Sequence, residues 1–227
     1  MSHIIFMAMQ QKPSSSPGNT KTKLIRAAER LFAENGLGAV SVRDITRAAG
    51  ARNESALHYH FGSKEALIRA VFADRIRAID DQRLAIIASH DEIGTRGDVT
   101  SLMQAAIAPM LDACAEEGGR LYATFLMQIA ADPRFDVDKL IADFAPDGVR
   151  EVRDRLAPVL GHLPRATRNA RMRRLPTLCI TLMADYARDI TAGEAAPPQW
   201  AIDEAAACLA GFLTAEPGLT AEPEPGA

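Results

Sequence analysis

Ser41, Arg43, Arg52, Asn53, Glu54, Ser55, His58, Tyr59, His60 and Lys64 fall within one short stretch of this 227-residue chain. Their types suit one kind of chemistry. Arg52, Asn53, Glu54, Ser55 and His58 can donate or accept hydrogen bonds at the edges of bases. Ser41, at the start of a helix, can join that helix's free N–H groups in holding a phosphate. Tyr59 offers a hydroxyl and Lys64 a point charge. Each residue also has an ordinary role open to it. Ser41 is a helix cap, Tyr59 can pack in a core, Lys64 can be a solvated charge, and Arg52, Asn53 and Glu54 can be turn residues. His58 and His60 lie two apart and do not share a helix face, so a metal pair is not expected.

The charge distribution favours the first chemistry. Between Lys21 and Ala70 there are nine cations against five anions, a surplus of four. The whole chain carries −3, so the remainder carries −7. A basic head on an acidic body suits a phosphate-binding module joined to something else.

The elements that would position these groups are helices. Leu24, Ala28, Leu31 and Phe32 recur at helical spacing over 21–35, and Gly36 follows as a left-handed stop. Ser41 and Asp44 form a capping-box pattern, with Val40 and Ile45 as its apolar staple. That second helix is short and ends at Ala49-Gly50. A third is expected over 53–61, capped by Asn53, with Leu57 and Phe61 as anchors. Gly62 ends it and Ser63 caps a long fourth helix. Two short helices joined by a glycine turn and backed by a third make a helix-turn-helix unit. Its second helix is short enough to lie in a major groove.

The run SVRDITRAAGARNESALHYHFGSKEALIRAVF resembles the DNA-binding signature of the tetracycline-repressor (TetR) family. The matching features are VRDI, Ala49-Gly50, Tyr59-His60-Phe61, and Lys64 followed by Leu67. The resemblance covers roughly Lys21 to Asp74. It implies a homodimer on double-stranded operator DNA, with a variable helical domain that binds a small-molecule effector. It also implies phosphate or groove contacts by Ser41, Arg43, Tyr59, His60 and Lys64, and base reading between Arg52 and His58. This chain departs from the pattern by one extra residue between Gly50 and His60, assigned to Arg52, and by His58 where the family often has Tyr.

The expected fold is all-α. A helix-turn-helix DNA-binding domain over 20–66 precedes a larger ligand-binding and dimerisation domain over 67–213. Disordered tails are expected at 1–19 and 214–227. Further helices are expected near 98–115, 119–131, 147–160, 165–191 and 198–213, with Pro109 kinking the first of these. The apolar, Met-containing stripes suggest an adaptable pocket. Met103, Ile107, Met110, Leu111, Tyr122 and Phe125 are its candidate lining, with Arg120 and Gln128 as polar anchors. Leu178, Leu182, Tyr186, Leu209 and Phe212 are candidates for a dimer interface, among small residues that let backbones approach closely.

Other classes find less support. No Gly-x-Ser-x-Gly, Walker or Rossmann motif occurs, so neither an enzyme nor a cofactor is expected. The scattered Cys114, Cys179 and Cys208 suggest buried packing rather than metal or redox chemistry. No membrane span or signal peptide is read, which places the chain in the cytoplasm. A helical enzyme or an interaction module without DNA binding remains the alternative to a ligand-released repressor.

Overall fold

The computed structural model describes residues 17–51, 53–190 and 197–217. The tail expectations at both ends and Arg52 therefore fall wholly or mostly outside the described residues. Among the described residues the order is α1 (Pro17–Asn35), α2 (Val42–Ala48), α3 (Ser55–Phe61), α4 (Lys64–Glu92), α5 (Val99–Ala115), α6 (Gly119–Ala131), α7 (Val137–Phe144), α8 (Asp147–Val159), α9 (Arg165–Asp189) and α10 (Gln199–Thr214), with no strand.

The first four helices form a small head. Leu24, Ala28 and Phe32 of α1, Ile45 of α2, Leu57 of α3 and Leu67 of α4 are all fully buried against one another. Gly36, Gly50 and Gly62 sit at φ 90°, 67° and 75°, values that a Cβ would strain, so each chain break falls where glycine allows it. Two sequence expectations change. Asn53 does not cap α3, which begins two residues later with Glu54 in the capping position and no side-chain cap bond. The chain enters α3 through tight turns, Ala56 N–H to Asn53 O and Leu57 N–H to Glu54 O, which replace a side-chain cap. The short amphipathic α7 was not read from the sequence. It is capped by Asp136, whose carboxylate accepts from the Lys139 N–H.

Helix α4 runs about 43 Å at 1.5 Å per residue, from the head into the body. There α5 packs against α10, α4 and α9, while α6 packs against α9 and α1. Helix α5 continues through the buried Pro109. Cys114 and Cys179 are buried, and Cys208 is exposed.

Three polar joints lock the helices together. Gln128 of α6 reaches α1, donating from Nε2 to Ala33 O at 3.2 Å and accepting the Leu37 N–H at 3.0 Å. It thereby satisfies backbone groups freed at the end of α1. Glu29 of α1, 3% exposed, meets Arg75 of α4 at 2.8 Å, and Arg75 also donates to Glu117 O at 2.9 Å. Deeper in the body, Asp80 and Arg83 pair at 2.6 Å, each 5% exposed. Asp80 also accepts the Gly148 and Val149 N–H groups at 2.8 and 3.1 Å. It caps α8 from α4, since Pro146 at the capping position has no side-chain donor or acceptor. Gly148 permits this approach, because a Cβ there would stand 2.8 Å from the Asp80 carboxylate.

Replacing Asp80 by Ala leaves a buried guanidinium without its partner and two amides without an acceptor. Urea unfolding of Asp80→Ala should show a loss of about 3–5 kcal/mol; a loss below about 1 kcal/mol would contradict the assigned role. Gln128→Leu keeps volume but leaves the Ala33 carbonyl and the Leu37 amide unpaired. The expected cost is about 1–3 kcal/mol, with faster hydrogen exchange at Leu37.

Candidate nucleic-acid interface and internal cavity

Local rules build the reading head. Ser41 stands in extended backbone at φ −91°, ψ 160°, and its Oγ accepts from the Asp44 N–H at 3.2 Å. Asp44 Oδ2 in turn accepts from the Ser41 N–H at 3.1 Å and the Ser41 hydroxyl at 2.5 Å. Those bonds hold the Asp44 carboxyl below the usual carboxylate range, and the box fixes where α2 begins. Arg43 is exposed in the first turn of that helix.

Helix α3 turns Leu57 inward and leaves Asn53, Glu54, Ser55, His58 and Tyr59 exposed at its start and along its outer side. Glu54 has no capping duty, so its carboxylate is free to accept from outside. His58 lies 3.0 Å from Gly62 O through Nδ1. The carbonyl requires Nδ1–H as donor, which leaves Nε2 of the neutral ring as an outward acceptor. Tyr59 is 82% exposed, so the core-packing alternative is excluded for it. Its ring meets the half-buried His60 edge-on, with centroids 5.0 Å apart. Lys64 is half-buried, and its ammonium stands 5.8 Å from the centre of the Phe32 ring. Desolvation first, then repulsion from Arg134, pulls the Lys64 pKa down. All the head candidates within the described residues thus belong to one compact unit.

The body holds a cavity of about 90 Å³ behind α4. Phe72, Ile76, Ile79 and Arg83 of α4 form one wall. Ala106 and Met110 of α5, Tyr122 and Leu126 of α6, and Ile141 of α7 form the next, and Val149, Val152 and Arg153 of α8 continue it. Met172, Leu175, Pro176, Cys179 and Ile180 of α9 close it. Of the residues expected to line a pocket, Met110 and Tyr122 do so. Met103, Ile107, Leu111 and Phe125 instead pack in the solid core, each at most 1% exposed. Arg120 is exposed, and Gln128 ties α6 to α1. Phe125 is stacked between Phe32 of the head and the cavity residue Tyr122, at 6.1 and 6.2 Å. One sequence signal did point to the missed wall: Asp80 and Arg83 interrupt the apolar stripe of Ile76, Ile79 and Ile87, which marks a buried polar site.

Of the dimer candidates, Leu178, Leu182, Tyr186 and Phe212 are partly exposed along α9 and α10. Leu209 is 2% exposed and packs inside its own protomer. Ala205, Ala206 and Ala210 likewise face inward, whereas Ala207, Cys208 and Gly211 face out. Among the described residues no helix is long and apolar enough to cross a membrane.

Comparisons with known proteins agree with this architecture. Residues 24–71 match the family described as "Bacterial regulatory proteins, tetR family", and residues 104–215 match "Tetracyclin repressor-like, C-terminal domain". The chain is 37% identical over 76 residues to the HTH-type transcriptional repressor KstR2 of Rhodococcus jostii, covering 34% of this chain and 37% of that one. It is 38% identical over 72 residues to the HTH-type transcriptional regulator UidR of Escherichia coli, covering 31% and 36%. The chain thus spans about a third of the length of these curated relatives. In structure it is similar to a chain from Shewanella sp. PV-4 assigned to the tetR family, with TM-score 0.58 and 19% identity over 86% of this chain and 95% of that one. It is also similar to NalD of Pseudomonas aeruginosa, with TM-score 0.52 and 23% identity over 86% and 94%. At those identities the structures speak for the fold alone. The two family matches fall on the reading head and on the helical body respectively, and the chain belongs to the tetR family of bacterial regulatory proteins.

Proposed function

We propose that this chain is a DNA-binding transcriptional repressor that holds a palindromic operator as a homodimer and releases it when a small apolar or amphipathic molecule fills the cavity behind α4. The observation that carries this reading is the continuity of α4. One helix starts beneath α3 at the Ser63 cap and becomes the cavity wall at Phe72, Ile76, Ile79 and Arg83. Curated relatives named as repressors or regulators support the same reading. A regulator of this kind acts in the cytoplasm and performs no catalysis.

The proposed contacts follow from exposure. Asn53, Glu54, Ser55 and His58 read base edges, with Arg52 beside them. Arg43, Tyr59, His60 and Lys64 engage the backbone, and Ser41 stands beside them at the start of α2. Two copies must present α3 at sites about 34–36 Å apart. The partly exposed stripes of α9 and α10, with Trp200 at 71% exposure on the outer side of α10, provide the surface for the twofold contact. Helix pairs of this type join as a four-helix bundle.

Release needs an effector that prefers a different placement of α4. At about 90 Å³ the cavity is smaller than most small-molecule sites, which run to roughly 300–1,000 Å³. A molecule of one ring or more must push the walls apart, and α4 is one of them. A preference of ~1–3 kcal/mol for the displaced state lowers operator affinity on the order of 5–150-fold.

Selection of bound duplexes from a random pool tests the reading; absence of any enriched palindrome would sink it. On the selected site, Lys64→Ala should weaken binding to every sequence and reduce the salt slope by about one. His58→Ala should instead relax preference at one base position, at a cost of about 1–3 kcal/mol on the preferred site. Gly211→Arg, on the exposed face of α10, should give a monomer by analytical ultracentrifugation and lose operator binding. A Gly211→Arg dimer with full affinity would move the twofold contact elsewhere.

A further inference from the structure

Four residues around the cavity carry polar side-chain groups, and each is already engaged or muted. Arg83 donates to Asp80 at 2.6 Å and to Ala106 O at 3.3 Å. Arg153 donates to Asp138 at 2.7 Å. The Tyr122 hydroxyl donates to Phe72 O at 3.1 Å, and burial keeps that phenol neutral. Burial pushes the Cys179 thiol up to about 12, so it is no thiolate and a weak donor at most. Among the described residues no buried side-chain nitrogen or oxygen lacks a partner. The surface facing the space is apolar almost throughout.

From this wall we infer that the occupant is an uncharged hydrocarbon-like molecule, about one ring in size, held without any polar anchor. The inference rests on reading this cavity as the effector site and narrows the effector's class. Two physical arguments lead to it. A ligand hydroxyl or carboxylate entering here gives up water and meets a wall with almost no polar surface, so the site discriminates against it. Binding a carboxylate would require Arg83 to leave Asp80, or Arg153 to turn its remaining donors into a wall that presents almost no polar atom to the space. Arg83 leaving would strand the buried Asp80 carboxylate without its counter-ion, which makes that exchange costly. Size points the same way. Apolar cavities of roughly 150 Å³ stay dry and take up benzene or xenon. At about 90 Å³ this one is about two-fifths smaller, so a one-ring guest enters only as the flexible Met110 and Met172 side chains and the α4 wall yield.

The test uses the full chain without DNA, titrated calorimetrically and by thermal shift with toluene, phenol and benzoate. Toluene should bind and raise Tm. Phenol, of nearly the same shape, should bind at least about tenfold more weakly, and benzoate should give no heat. Ala106→Leu fills the space and should abolish toluene binding, while Met110→Ala enlarges it and should admit naphthalene; either variant that folds decides this arm. Phenol or benzoate binding as tightly as toluene would reveal a free polar partner in the wall and would overturn the inference. So would failure of all three probes to bind, or toluene binding unchanged in a folded Ala106→Leu. Operator binding measured with and without toluene keeps the two claims apart. Toluene bound with the operator retained defeats the proposed release but leaves the ligand class standing. An operator-binding protein that takes up no toluene defeats the ligand class alone.

Discussion

Helix α4 runs through one hydrophobic core that is continuous from the head into the body, and the rest of the molecule is arranged around that continuity. Leu67, Ile68 and Val71 pack in the head with α1 and α3, while Ile79 and Ile87 pack in the body with α5 and α8. Protein interiors are close-packed and yield little. Helix α4 is thus one uninterrupted rod from the cavity wall to the base of α3. No separate linker is needed, and none is present between Ser63 and Glu92.

Polar joints set the angle at which head and body meet. Hydrophobic contact alone tolerates sliding, whereas a buried hydrogen bond or ion pair has one good geometry. Gln128 fixes the end of α1 to α6, Glu29 fixes the middle of α1 to Arg75, and Asp80 fixes α4 to the start of α8. Lys64 above Phe32, and Phe32 against Phe125, carry packing from the head to Tyr122 at the cavity. Only two of these chains of contacts reach the cavity, through Arg83 beside Asp80 and through Tyr122, and both residues have their polar groups engaged there. The same arrangement that holds the resting geometry thus leaves the cavity apolar.

The candidate dimer face on α10 shows how exposure sorts residues that look alike in sequence. Helix α10 carries a run of alanines around Cys208 and Leu209 that reads as one close-packing surface. In the folded chain Ala205, Ala206, Leu209 and Ala210 are used inside the protomer against α5 and α9, and only Ala207, Cys208 and Gly211 remain for a partner. The helical spacing is visible in the sequence, but its phase relative to the body is not.

What the sequence determined by itself was local. The Ser41–Asp44 box, the Ser63 cap, and the glycines at 36, 50 and 62 act within a few residues, so the helix-turn-helix and its basic charge could be read directly. The start of α3 could not, because tight backbone turns took the place of a side-chain cap at Asn53. Tertiary structure alone decided which apolar residues became solid core and which faced empty space. Met103, Ile107, Leu111 and Phe125 have the same chemistry as Met110, Ile79, Leu126 and Phe72, yet only the second set borders the cavity. A cavity is a mismatch between the shapes of several helices brought together from distant parts of the chain, and no single stretch of sequence contains it.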